Sequence, residues 1–140
     1  MNKTKIERGE DVFLYLNDLF HHSFNAKKNR GGSEKINFEK LIQLNEILKI
    51  SFLIDISSFY NCVNPLSGSQ RNHFNYFRYI CYNFLRDTYE QRIIAIMLDR
   101  KRHDNISRGL KRYDLLIDNP DFLFKPFNDQ FNRAKDELGY

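Results

Sequence analysis

The sequence predicts an all-α, single-domain bundle of four to five helices with a long apolar central helix. Three observations carry that expectation. Apolar residues recur at helical spacing through most of the chain. Breakers such as Gly31-Gly32, Asn64-Pro65 and Asn119-Pro120 separate the periodic stretches. The 140 residues also include 13 Phe and 8 Tyr, so a few amphipathic helices can bury enough area to close a core. No repeat, low-complexity tract or linker divides the chain. Residues 1–140 therefore read as one helical domain with a flexible, polar N-terminus over 1–9.

Val12, Phe13, Leu16, Leu19, Phe20 and Phe24 place the first helix over Glu10 to Phe24. Glu10 and Asp11 stand in its first turn, where the helix dipole favours acids. Asn25 to Ile36 is expected as a loop. Asn37 is the expected N-cap of the central helix, Asn37 to Val63. Phe38, Leu41, Ile42, Leu48, Phe52, Ile56, Phe59 and Val63 trace its buried face, with Ile47, Ile50, Leu53, Ile54 and Tyr60 around it. A third long helix runs from Ser69 to about Arg102, with Asp87 as the point most open to a break. Its core face is Phe77, Ile80, Cys81, Phe84, Thr88, Ala95 and Leu98. A fourth, capped by Asp104 or Asn105, ends near Asp118; Gly109 inside it costs about 1 kcal/mol relative to Ala. Asp121 to Pro126 is expected to be extended, laying Phe122, Leu123 and Phe124 on the bundle. The last helix spans Phe127 to Leu138.

Cys62 and Cys81 read as buried thiols. Neither has a Cys or His at ligand spacing, and adjacent His21-His22 do not share a helix face, so no metal or other cofactor is expected. The polar start lacks a signal-type segment, and no window reaches about 18 uncharged apolar residues. A soluble, cytoplasmic protein without a membrane partner is the expectation, in the host cytoplasm if the gene is viral. No phosphate-cradling glycine loop or Gly-x-Ser-x-Gly elbow is present. The carboxylate pairs Asp118 with Asp121, and Asp136 with Glu137, read as caps and solvated charge.

The most informative feature lies on the third helix. At about 100° per residue, Arg71, Arg78, Arg86, Arg92 and Arg100 fall within an arc of roughly 120°. Asn75, Tyr82 and Tyr89 share that arc. Guanidinium groups hold phosphate through paired donors, and tyrosine rings stack on unpaired bases. Lys101, Arg102, His103, Arg108, Lys111 and Arg112 extend the positive surface. Residues 71–112 carry ten basic side chains against Asp87, Glu90, Asp99 and Asp104, a surplus above the whole chain's +4. The segment after Tyr113 is acidic, with Asp114, Asp118, Asp121, Asp129, Asp136 and Glu137. The competing reading is a solvated face, or arginines neutralised by that acidic segment.

Arg71-Asn72 at a helix start resembles the opening of the motif of HEPN ribonucleases, which are small helical bundles. In that family a His follows several residues later on the same helix; here Tyr76 stands at that spacing, and His73 is too close. The resemblance covers these two residues and the helical architecture. The departure at Tyr76 puts RNA cleavage in doubt and implies a binding or dimerisation role.

The preferred reading is a non-enzymatic binding or regulatory protein. Its basic face would contact RNA, DNA or a nucleic-acid-handling complex. The alternative is a protein–protein adaptor or inhibitor of phage or mobile-element type, acting on an acidic protein surface. A contiguous exposed patch containing residues such as Phe122, Phe124, Phe127 and Phe131 would favour that reading, and full burial of those rings the first. A second alternative is a HEPN-like, metal-independent ribonuclease or an inactive relative, which needs Arg71 and a His to converge, within the chain or across a dimer; a homodimer is compatible with each reading.

Overall fold

The apolar periodicity folds as helix, but in shorter pieces than the pattern suggests. A computed structural model describes residues 8–28, 37–61, 69–100 and 102–140; at 21–28, 61 and 69–74 it describes the backbone alone. Among the described residues there are seven helices and no strand. They are α1 (Gly9–Lys28), α2 (Glu39–Ser51), α3 (Ser58–Asn61), α4 (Ser69–Leu85), α5 (Gln91–Met97), α6 (His103–Asp118) and α7 (Phe124–Glu137). No helix among them is long and apolar enough to cross a membrane.

All but the shortest of these helices turn several side chains into one core. Val12, Leu16 and Phe20 come from α1, and Leu41, Leu44, Ile47 and Leu48 from α2. Ile80, Cys81, Phe84 and Leu85 come from α4, Ile93, Ile94 and Met97 from α5, and Ile106, Leu110 and Tyr113 from α6. Phe124 and Phe131 close it from α7. Helix α6 packs along both α4 and α5, while α7 lies across α2 and α4. The Cys81 thiol is fully buried, which pushes its pKa up and keeps it protonated. Cys62 lies outside the described residues.

The long central helix, Asn37 to Val63, does not form. Helix α2 stops at Ser51, and Leu53 takes a left-handed conformation (φ 59°) with its side chain 88% exposed. Three polar side chains hold the break. Asp55 accepts hydrogen bonds from the Ser57 N–H (2.9 Å) and hydroxyl, which opens α3, and from the Gly9 N–H (2.9 Å), which ties down the start of α1. Buried Asn45 accepts the Ile56 N–H at 3.0 Å. Gln130 of α7 donates to the Ser51 carbonyl, one of the acceptors that a helix end leaves over. The periodicity misleads because Ile56 and Phe59 remain buried after the break.

The third helix is also divided. Helix α4 ends at Leu85, whose carbonyl accepts the N–H groups of Thr88 and Tyr89; Thr88, expected in the core, is exposed. Helix α5 then ends in a Schellman turn. Asp99 is left-handed (φ 56°), the Arg100 N–H donates to the Ala95 carbonyl (2.7 Å), and the Asp99 N–H donates to that of Ile96 (3.3 Å). The Tyr60 hydroxyl donates to the Met97 carbonyl at 2.7 Å, so the end of α5 is closed from a second side.

Two boundaries move outward. Helix α1 continues through Asn25 to Lys28, where a loop was expected; residues 29–36 lie outside the described residues. Helix α7 starts at Phe124 rather than Phe127, because Pro126 sits in the first turn, where an N–H has no helical acceptor to lose. Asp121 caps it by accepting the N–H groups of Leu123 (3.0 Å) and Phe124 (2.6 Å). Helix α6 runs to Asp118 as expected.

Gly109 explains how closely α4 and α6 approach. A Cβ there would lie 2.5 and 2.6 Å from ring atoms of Tyr82, and 3.2 Å from Tyr79. Tyr82 is 2% exposed, so its ring has little room to yield. On an open helix Gly→Ala stabilises by about 1 kcal/mol. At this contact we expect the opposite: Gly109→Ala should destabilise the fold by about 1–3 kcal/mol, the usual cost of overpacking, as read from urea denaturation. A gain in stability would mean that the two helices do not touch here.

Candidate functional site

The contact of α4 with α6 brings together basic residues that are distant in sequence. Arg78 of α4, Arg100 of the α5–α6 link, and Arg108 and Arg112 of α6 line one cleft of about 210 Å³, with Asn75, Tyr79 and Asn105. The Schellman turn after α5 fixes the backbone of Arg100, and Gly109 admits the Tyr82 ring to the cleft lining between Arg108 and Arg112. Burial pushes the Tyr82 hydroxyl pKa up, while the Arg100 and Arg78 guanidiniums pull it the other way, as charges close to that hydroxyl must.

Neutralisation within this cleft is incomplete. Arg108 pairs with Asp104 at 3.3 Å, on the surface. Arg100 and Arg112 make no ion pair among the described residues, and the Arg100 Nε is buried without a hydrogen-bond acceptor. Like charges gathered around one cleft repel, and a buried donor without an acceptor is costly. An anion entering the cleft would relieve the repulsion.

The remaining predicted residues separate from this group. The single-helix arginine row does not exist, because the chain turns at 86–90. Arg86 reaches across to Asp114 (3.0 Å) and stacks over Tyr113, with its Cζ 5.9 Å from the ring centroid. Arg92 pairs with Glu90 and Arg102 with Asp104. The Tyr89 hydroxyl donates to the Asn37 carbonyl, joining the α4–α5 turn to the approach of α2. Tyr82 packs beneath Gly109 instead of facing solvent. Lys111 is exposed on α6. Lys101 and the side chain of Arg71 lie outside the described residues, as do the side chains of Asn72 and His73. A further cleft of about 510 Å³, which shares Arg100 with this one, is lined by Arg92, Arg102, His103 and Asp104.

Sequence reasoning overlooked Tyr79 and Asn105, which fall outside the arginine arc and face the cleft only because α6 packs on α4. The acidic segment stays largely apart from the cleft. Its Asp129 pairs within α7 with Lys125 (3.1 Å), and Asp121 accepts the Tyr76 hydroxyl at 2.5 Å. Tyr76, at the spacing where HEPN ribonucleases carry His, is thereby engaged in holding the cap of α7. Burial and this bond push its pKa up to about 12, which leaves no base near neutrality at that position.

The aromatic patch that would favour an adaptor does not assemble. Phe124 and Phe131 are buried and Phe127 is half-buried against Phe52 and Phe77; Phe122 stands out at 84% exposure. No group of three or more His, Cys, Asp or Glu among the described residues is placed to hold a metal ion. Compared with family models, curated proteins and solved structures, the chain matched none.

The Asp121 bonds give a pH signature. The Tyr76 hydroxyl and two backbone N–H groups hold its carboxyl below the ordinary 3.8. A depressed folded pKa stabilises fully above the unfolded value and is lost as pH falls through the folded one. Asp121→Asn should therefore lower stability by a constant amount at neutral pH, and the difference from wild type should shrink below about pH 3.8 in acid denaturation. A difference that grows on acidification would contradict this.

Proposed function

We propose that the chain binds nucleic acid through the arginine cleft between α4 and α6, as a non-enzymatic binding or regulatory protein. One observation carries the reading. Four arginines from α4, the α5–α6 link and α6 converge on one small cleft, and two of them, Arg100 and Arg112, make no ion pair among the described residues. Folding gathers this charge against its own repulsion, and a phosphodiester is an anion whose two free oxygens match the guanidinium fork. Asn75 and Asn105 add neutral donors, and Tyr79 adds an aromatic wall. The cytoplasm is the compartment this reading assumes.

Binding of a fluorescent single-stranded oligonucleotide at low salt, followed by anisotropy, checks it. Affinity should fall as salt rises, with a log–log slope of about −0.7 per phosphate contacted. Arg100→Glu with Arg112→Glu should weaken binding by about tenfold or more and flatten that slope. Arg133→Glu, an exposed change on α7 outside the cleft, should do so far less. No binding by the wild type, or equal binding by the cleft variant, would overturn the proposal.

A further inference from the structure

The arginine cleft does not end at Arg112. A second cleft of about 500 Å³ adjoins it along the same α4–α6 seam, and the two share Asn75, Tyr79 and Arg112. The far end of the second cleft carries Asn119 and Asp121. Together they form one groove with a steep change of charge, from four arginines at one end to a carboxylate at the other.

That gradient restricts what the groove can hold. The arginine end is smaller than the roughly 300–1,000 Å³ of a typical small-molecule site, so it suits a charged group rather than a whole ligand. The wider part is large enough for a ring system. Tyr79 stands at the junction as a wall held in place: its ring lies against Gly109 and 6.3 Å from the Tyr76 ring. A pre-positioned ring is a stacking surface that loses little freedom on binding. The Asn75 and Asn119 side chains each offer a donor and an acceptor to the edge of a stacked base. A strand running through the whole groove would bring its next phosphate to the Asp121 carboxylate, which already accepts the Tyr76 hydroxyl and the first N–H groups of α7 and makes no ion pair among the described residues.

Building on the phosphate-binding reading above, we infer that the groove takes one nucleotide unit ending in a phosphate. The phosphate lies among Arg78, Arg100, Arg108 and Arg112, and the base lies against Tyr79. The ligand class is a nucleoside monophosphate, either free or as the phosphorylated terminus of a single strand.

The test uses the full chain and calorimetry at matched ionic strength. The probes are inorganic phosphate, adenosine, adenosine 5′-monophosphate, a 5′-phosphorylated single strand and a circular single strand of the same sequence. The nucleotide should bind roughly tenfold or more tighter than phosphate, the increment expected of one stacked base, and adenosine should bind far more weakly. The phosphorylated strand should bind more tightly than the circle if strand ends are the source; if only the free nucleotide binds, the source is the free nucleotide and the nucleic-acid reading falls while this inference stands. Tyr79→Leu should reduce nucleotide affinity to that of phosphate and leave phosphate binding unchanged. A circle that binds as well as the phosphorylated strand, together with a nucleotide no tighter than phosphate, would overturn this inference and leave the nucleic-acid reading standing. Failure of every probe to bind the wild type would overturn both. The comparisons of nucleotide with phosphate and of circle with phosphorylated strand both use wild type alone, so together they decide the matter even if Tyr79→Leu does not fold.

Discussion

The seating of the Tyr82 ring beneath Gly109 is the contact on which the rest of this molecule depends. It sets the distance between α4 and α6, and those two helices carry three of the four arginines of the cleft. A side chain at 109 would force the ring aside or the helices apart. The helix tolerates glycine's intrinsic cost of about 1 kcal/mol because the close approach it permits buries the whole Tyr82 side chain. The residue that looks weakest in α6 as an isolated helix is thus the one its neighbour requires.

The fourth arginine is positioned by backbone rather than by side-chain packing. Asp99 accepts a left-handed conformation, which costs a non-glycine residue about 1–2 kcal/mol, and the Schellman bonds to Ala95 and Ile96 offset it. Tyr60 closes the same helix end from α3. Arg100 therefore leaves a fixed point of the chain, directed between α4 and α6. The clustering of charge follows from helix capping and one steric contact, with no acidic residue recruited to neutralise Arg100 or Arg112 among the described residues.

Helix existence was legible in the sequence, and helix length was not. The apolar spacing located α1, α2, α4, α6 and α7 because burial of Leu, Ile and Phe drives each of them. It ran through the break at Phe52–Ser57 because buried residues occur on both sides. Asp55-Ile56-Ser57 carried the missing signal: a short acid two residues before a serine is turn and cap chemistry, whereas it reads as an isolated charge inside a helix. Pro126 misled in the opposite direction, as a stop where it is an N-terminal turn residue. The basic character of the site was visible as composition, but its membership was not. Arg86 and Arg92 share the arc with Arg78 and end in pairs with Asp114 and Glu90. Tyr79 lies off the arc and lines the groove. Such membership depends on which helix packs on which, and periodicity along one helix holds no information about its neighbour.

No carboxylate of the acidic segment lines the arginine cleft itself. Asp121 serves α7, Asp129 pairs along its own helix, and Asp114 takes the peripheral Arg86. Arg100 and Arg112 are left facing a groove. The most direct measurement is an NMR titration of the arginine Nε–Hε resonances with a short single-stranded oligonucleotide. Arg100 and Arg112 should shift first and most, while Arg86 and Arg133 stay in place. Shifts confined to Arg86, Arg92 and Arg102, or no shift at a concentration where the strand is bound, would contradict it.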